Sequence, residues 1–170
     1  RPLIISSVAR YGNGDIVDDL LAAYRDNQAG ELRQDICVGV TSTRVPEKIT
    51  QLLGIIKDQQ VVRHQDVARW LIYLMRGRES REQAWQWLRD NWQWIVDTFG
   101  GDKSYDDYPR YGASALVTQK QLQEYREFFE PLRDDPALTR AITVGISEIE
   151  GRVELIERDK EAVQKALLAL

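Results

Sequence analysis

The chain has 170 residues, 43% hydrophobic and 29% charged, with a formal net charge of -4; this balance supports one folded domain with its own core and argues against disorder. With no Lys/Arg stripe interleaved with aromatics, the acidic balance argues against nucleic acid as a partner, because phosphate binding needs a basic patch that releases counterions. No apolar run approaches the roughly 20 residues that span a bilayer, and the start, RPLIISSVAR, lacks the longer apolar stretch of a signal peptide, so a cytoplasmic chain without a membrane partner is expected.

Taken in order, Leu3, Ile4, Val8 and Tyr11 form a short helical stripe, which Gly12-Asn13-Gly14 ends with residues suited to a left-handed turn. Asp15 is the expected cap of a second helix carrying Ile16, Leu20, Leu21 and Tyr24, and the two make a pair. Leu32, Ile36, Cys37 and Val40 form a third stripe; Pro46 opens a fourth helix with Ile49, Leu52, Leu53 and Ile56, giving a second pair. Val67, Trp70, Leu71 and Leu74 mark a fifth helix, closed by Gly77 and expected to pair with the next.

That next stretch, Glu79 to Phe99, holds four of the five tryptophans. Helical spacing places Trp85, Leu88, Trp92, Ile95 and Phe99 on one face and Ala84, Trp87, Asn91, Trp94 and Thr98 on a neighbouring one, so an inner helix packed on both sides is expected. Ser80 is its expected N-cap and Gly100-Gly101 its end. The segment GGDKSYDDYPRYGAS reads as a loop leading to a short helix near Tyr111 to Leu116. Thr118 or Gln119 starts a helix with Leu122, Tyr125, Phe128 and Phe129, closed by Pro131. Asp135-Pro136 signals the start of a long stripe, Leu138, Ile142, Ile149, Val153 and Ile156, in which Gly145 and Gly151 allow close approach or a bend. A last helix carries Val163, Ala166, Leu167 and Leu170. The fold class is therefore all-α, an irregular α-solenoid, or superhelix, of about nine helices in antiparallel pairs, with residues 1–170 as a single helical domain. A start at Arg1-Pro2 inside a helical pattern is expected of a fragment of a longer polypeptide.

Few residues here suit chemistry. His64 is the one histidine, so no H-E-x-x-H or two-histidine zinc site can form. Cys37 lies on an apolar stripe and reads as a small core residue, and one cysteine excludes an internal disulfide. Asp106-Asp107 and Asp134-Asp135 sit in turn contexts where aspartate caps helices or loop amides. Gly12-Asn13-Gly14 follows a helix and carries no phosphate-loop lysine. Arg76, Arg78, Arg81, Arg110, Arg140 and Arg152 are candidates to hold carboxylates, since the guanidinium fork suits bidentate recognition.

Gln65-Asp66, Gly77-Arg78, Ala84-Trp85-Gln86-Trp87 and Asn91-Trp92, with the later Phe128-Phe129 and the closing run from Arg140, resemble the C-terminal helical domain of zinc aminopeptidases of the aminopeptidase N family, over nearly the whole chain. The resemblance implies a solenoid of the HEAT and armadillo kind that caps an active-site chamber and limits entry to small peptides. It also implies a non-catalytic role for this chain, because the H-E-x-x-H, the later glutamate and the G-x-M-E-N stretch of that family are absent; Met75 is the only methionine. No catalytic residue, metal ligand or cofactor is assigned to this chain, and zinc is expected in the catalytic domain of the same polypeptide. That domain and peptide substrates are the implied partners. Arg110 and Tyr111, in the aromatic loop, are taken as peptide-facing. The alternative is a free-standing helical-repeat module that binds a partner protein in its groove. The two differ at the N-terminal helix, where a severed domain should leave an apolar patch and a free module a polar cap.

Overall fold

Ten α-helices and two short 3-10 turns account for the secondary structure of a computed structural model that describes residues 1–169, and no strand occurs among them. The all-α class read from helical periodicity is borne out. The helices are α1 (Pro2–Tyr11), α2 (Gly14–Asp26), α3 (Gly30–Val40), α4 (Pro46–Ile55), α5 (Val67–Arg76), α6 (Arg81–Asp90), α7 (Trp92–Phe99), α8 (Asp107–Ser114), α9 (Gln119–Phe129) and α10 (Thr139–Leu168). Contacts divide the chain into two compact units, Arg1–Trp94 and Ile95–Leu170.

In the first unit α1 packs chiefly on α3, and α2 also packs on α3. This differs from pairing in strict succession. Gly39 explains it: a Cβ there would meet Ile5 Cγ2 at 2.2 Å, so the missing side chain lets α1 lie close on α3. The junction after α1 is also a close approach rather than a left-handed turn. Gly12 is extended, no residue has positive φ, and a Cβ at Gly12 would meet Ile16 Cδ1 at 2.2 Å and Val8 O at 2.5 Å. Asn13, not Asp15, precedes α2. At the centre of the unit the Tyr24 and Trp70 rings meet edge to face at 5.2 Å, and Trp70 Nε1 donates to Tyr24 Oη at 3.3 Å. Both side chains are buried, so the indole and the phenol satisfy each other where water cannot.

Helix α5 packs on α6, as expected, through a tight turn. Ser80 is not a side-chain N-cap; its buried hydroxyl donates instead to Leu74 O. A Cβ at Gly77 would meet that hydroxyl oxygen at 2.2 Å, which is why the turn takes glycine. The tryptophan stretch is not one helix. It breaks at Asn91, whose side-chain amide donates to Trp87 O at 2.8 Å. On the first face Trp85, Leu88, Ile95 and Phe99 are buried and Trp92 is half-buried; on the second only Ala84 is buried while Trp87 and Trp94 are half-buried, so the second face is not a packed interior. Trp87 and Trp94 meet edge to face at 6.0 Å under Lys57 Nζ, which lies 5.9 Å and 5.2 Å from their centroids.

The second unit is built on α10, which packs on α8 and α9. Helix α8 begins at Asp107, four residues before the expected start near Tyr111. Thr118 and Gln121 form a reciprocal capping box that starts α9. Asp135 does not open the last helix: its carboxylate accepts from Ala137 N at 2.9 Å in a turn, and α10 begins at Thr139. Helix α10 is continuous through Leu168, so the separate last helix does not exist; Leu170, which was assigned to it, lies outside the described residues. A Cβ at Gly145 would meet Tyr125 Oη at 2.5 Å and Ala113 Cβ at 2.9 Å, so this glycine is the point of close approach between α10 and its neighbours. At Gly151 nothing lies within 4 Å.

Candidate functional site

The face of α1 turned away from α3 carries Leu3, Ile4, Val8 and Tyr11, which are 82%, 70%, 42% and 73% exposed. Ile4, Val8 and Tyr11 recur at the spacing of one helix face, so they form a strip rather than scattered residues. Arg44 covers one side of the Tyr11 ring at 5.0 Å, and its Nε pairs with Glu79 Oε1 at 3.3 Å. A second apolar set, Leu155, Ile156, Val163, Leu167 and Leu168, is exposed along the last turns of α10, where nearly every residue beyond Val153 is exposed.

Arg110 and Tyr111 both lie on α8, which starts early enough to take in Arg110 as well as the expected Tyr111. Arg110 is exposed and its guanidinium stands 5.3 Å from the Tyr111 ring centroid, a cation-π contact at the surface. Asp107, one turn earlier, has its carboxyl pushed up by partial burial and by Asp106, with Arg110 opposing. The other candidate arginines divide. Arg81 Nε donates to Met75 O at 3.2 Å, and Arg152 Nε donates to Leu116 O at 3.1 Å while its Nη2 donates to Ala113 O. Both therefore satisfy carbonyls at helix ends, a structural use of guanidinium. Arg76 stacks on Tyr73 at 5.7 Å, and Arg78 and Arg140 are exposed.

Cys37 is buried, and that burial pushes its thiol far above the usual range, which makes it an inert core residue. Among the described residues no group of three or more His, Cys, Asp or Glu side chains could hold a metal ion. No helix of the described residues is long and apolar enough to cross a membrane.

A cavity of about 220 Å³ lies within the first unit. It is lined by Arg33 of α3, Arg63 and Asp66 from the segment before α5, and Arg69 of α5, above a floor of Tyr24 and Trp70. None of these three arginines was singled out from the sequence, because they come from separate segments with no motif spacing. Only Gln65-Asp66 carried a signal, and it pointed to a family and not to a pocket.

Comparison with known proteins agrees with the resemblance. Aminopeptidase N of Lactobacillus helveticus is 33% identical over 168 residues, covering 98% of this chain and 20% of that protein. Aminopeptidase N of Lactococcus lactis subsp. lactis is 32% identical over 165 residues, covering 97% of this chain and 19% of the relative. Aminopeptidase M1-C of Oryza sativa subsp. japonica is 28% identical over 145 residues, 85% of this chain and 16% of the relative. The chain thus spans about a fifth of the length of the bacterial relatives it matches. The family described as ERAP1-like C-terminal domain matches residues 1–151. With that match covering most of the helical elements, this all-α chain belongs to the ERAP1-like C-terminal domain family.

Proposed function

We propose that this chain is the non-catalytic C-terminal domain of a zinc metallo-aminopeptidase that removes N-terminal residues from peptides, where it caps the active-site chamber and controls peptide access. The observation that carries the proposal is the apolar strip on α1. Burying a fully exposed side chain of this size stabilises by about 1.5–3 kcal/mol, so Leu3, Ile4, Val8 and Tyr11, each weighted by its exposure, together offer a neighbour roughly 4–8 kcal/mol. A free-standing repeat module would end in a polar helix, and α1 does the opposite. The names of the relatives supply the kind of neighbour: the catalytic part of the same polypeptide, with peptides as substrates.

The described residues do not fit zinc, since no three His, Cys, Asp or Glu side chains among them converge. The metal is assigned to the catalytic domain, and the role of this one is steric and electrostatic. Arg110 and Tyr111 are assigned to the chamber side, where an exposed cation held on an aromatic ring could meet a peptide carboxylate. Like the chamber role, the assignment to a soluble cytoplasmic enzyme rests on the family.

The test uses the complete polypeptide. The kcat/KM for a single-residue chromogenic amide and for peptides of increasing length is measured in the parent enzyme, in Arg110→Ala, and in an Ile4→Asp/Tyr11→Asp variant that weakens the proposed contact. Access control by this domain requires the length preference to shift in the double variant while the short substrate changes least. An unchanged ratio across lengths, in variants that remain folded, would overturn it.

A further inference from the structure

The cavity lined by Arg33, Arg63, Arg69 and Asp66 shares no residue with either apolar strip. Three guanidinium groups there face one carboxylate, an excess of two positive charges in a chain whose net charge is -4. Asp66 is already engaged, accepting from Arg69 Nη1 at 3.2 Å. Arg33 is held in place by contacts that leave donor capacity over. Its guanidinium lies 4.4 Å from the Tyr24 ring centroid and its Nη2 reaches Val61 O only at 3.4 Å, while its Nε is buried with no hydrogen-bond partner among the described residues. A buried donor without a partner is costly, and more so on a charged group. Two glutamines at the mouth, Gln34 and Gln65, add neutral donors.

We propose that this cavity binds a small oxyanion, a carboxylate or a phosphate, held by the guanidinium groups of Arg33, Arg63 and Arg69. Planar forks with fixed donor directions suit such groups, and the tyrosine ring behind Arg33 fixes its orientation before the anion arrives. A volume of about 220 Å³ takes an anion of a few heavy atoms and not a folded peptide. Every residue involved belongs to this chain, so the site does not depend on the aminopeptidase reading.

The experiment titrates the 170-residue chain with sodium phosphate and, separately, with sodium acetate, against sodium chloride at matched ionic strength, by calorimetry and by the thermal midpoint. Saturable binding absent in chloride is expected, weakened at least about tenfold in Arg63→Gln and unchanged when the exposed Lys103 is neutralised in Lys103→Gln. Arg63 has no ion pair to lose among the described residues, so its substitution should leave the fold intact. Binding of phosphate alone identifies a phosphate site, and binding of acetate identifies carboxylate recognition. A response equal in chloride, or one that survives Arg63→Gln, overturns the proposal.

Discussion

Gly145→Ala and Gly151→Ala should change stability in opposite directions, although both lie in α10 and both exchange the same atoms. At Gly145 the new methyl would stand 2.5 Å from Tyr125 Oη and 2.9 Å from Ala113 Cβ, with Tyr125 buried and donating to Pro109 O at 3.0 Å. Overpacking of this kind costs about 1–3 kcal/mol, and disturbing the tyrosine hydrogen bond adds about 1 kcal/mol. Alanine regains about 1 kcal/mol of helix propensity over glycine. The net cost is about 2 kcal/mol, which for a chain of this size lowers the thermal midpoint by roughly 4–8 °C. At Gly151 nothing lies within 4 Å of the added carbon, so only the propensity gain of about 1 kcal/mol remains and the midpoint should rise by roughly 2–4 °C. Circular dichroism melts of both variants beside the parent chain read the result. If Gly145→Ala is stabilised as much as Gly151→Ala, the close packing of α8, α9 and α10 at this point is wrong.

Tyr108→Phe and Tyr125→Phe form a second pair. Tyr108 Oη is buried with no hydrogen-bond partner among the described residues, so its removal should be neutral or stabilising, whereas loss of the Tyr125 bond to Pro109 O should cost about 1 kcal/mol in denaturant melts. Burial pushes the groups of Cys37, Tyr108 and Tyr125 above their ordinary values of 9.0, 10.0 and 10.0, chiefly by penalising the charged form. A raised folded-state value means the unfolded chain loses these protons first, so their contribution is complete below about pH 9 and falls as pH rises beyond it. Denaturant melts from pH 8 to pH 11 should show that loss, and a flat profile would contradict it. Thr118→Ala removes one half of the capping box on α9 and should cost about 1 kcal/mol. Hydrogen exchange should find the α10 backbone beyond Val153 weakly protected in the isolated chain, because an unsupported helix of this length is marginal, and strongly protected in the parent enzyme.

Much of this was legible because local chemistry and global packing agree in many places. Thr118 and Gln121 announce α9, Gly77 marks the end of α5, and the stripes of α4 and α5 became buried faces, whereas in α2 Leu21 and Tyr24 are buried with Val17 while Ile16 and Leu20 are only half-buried. The misses have physical causes. The break at Asn91 leaves the apolar phase of Trp85, Leu88, Ile95 and Phe99 intact, so periodicity alone runs through it. Helix α10 continues past Ile156 because residues 157–168, where charges interrupt the apolar stripe, are mostly good helix formers and include no glycine or proline. Ser80 prefers a buried carbonyl over the cap its position suggests. The packing of α1 on α3 depends on a missing Cβ at Gly39, and the convergence of Arg33, Arg63 and Arg69 on how separate segments meet. Neither is written in spacing along the chain.

The chamber-domain account stands or falls on what is encoded ahead of Arg1. Reading the frame upstream should reveal H-E-x-x-H followed by a downstream glutamate, in one polypeptide with this domain at its C-terminal end. A frame that opens close to Arg1 with no such motif would contradict the account and leave the α1 strip to a separate partner.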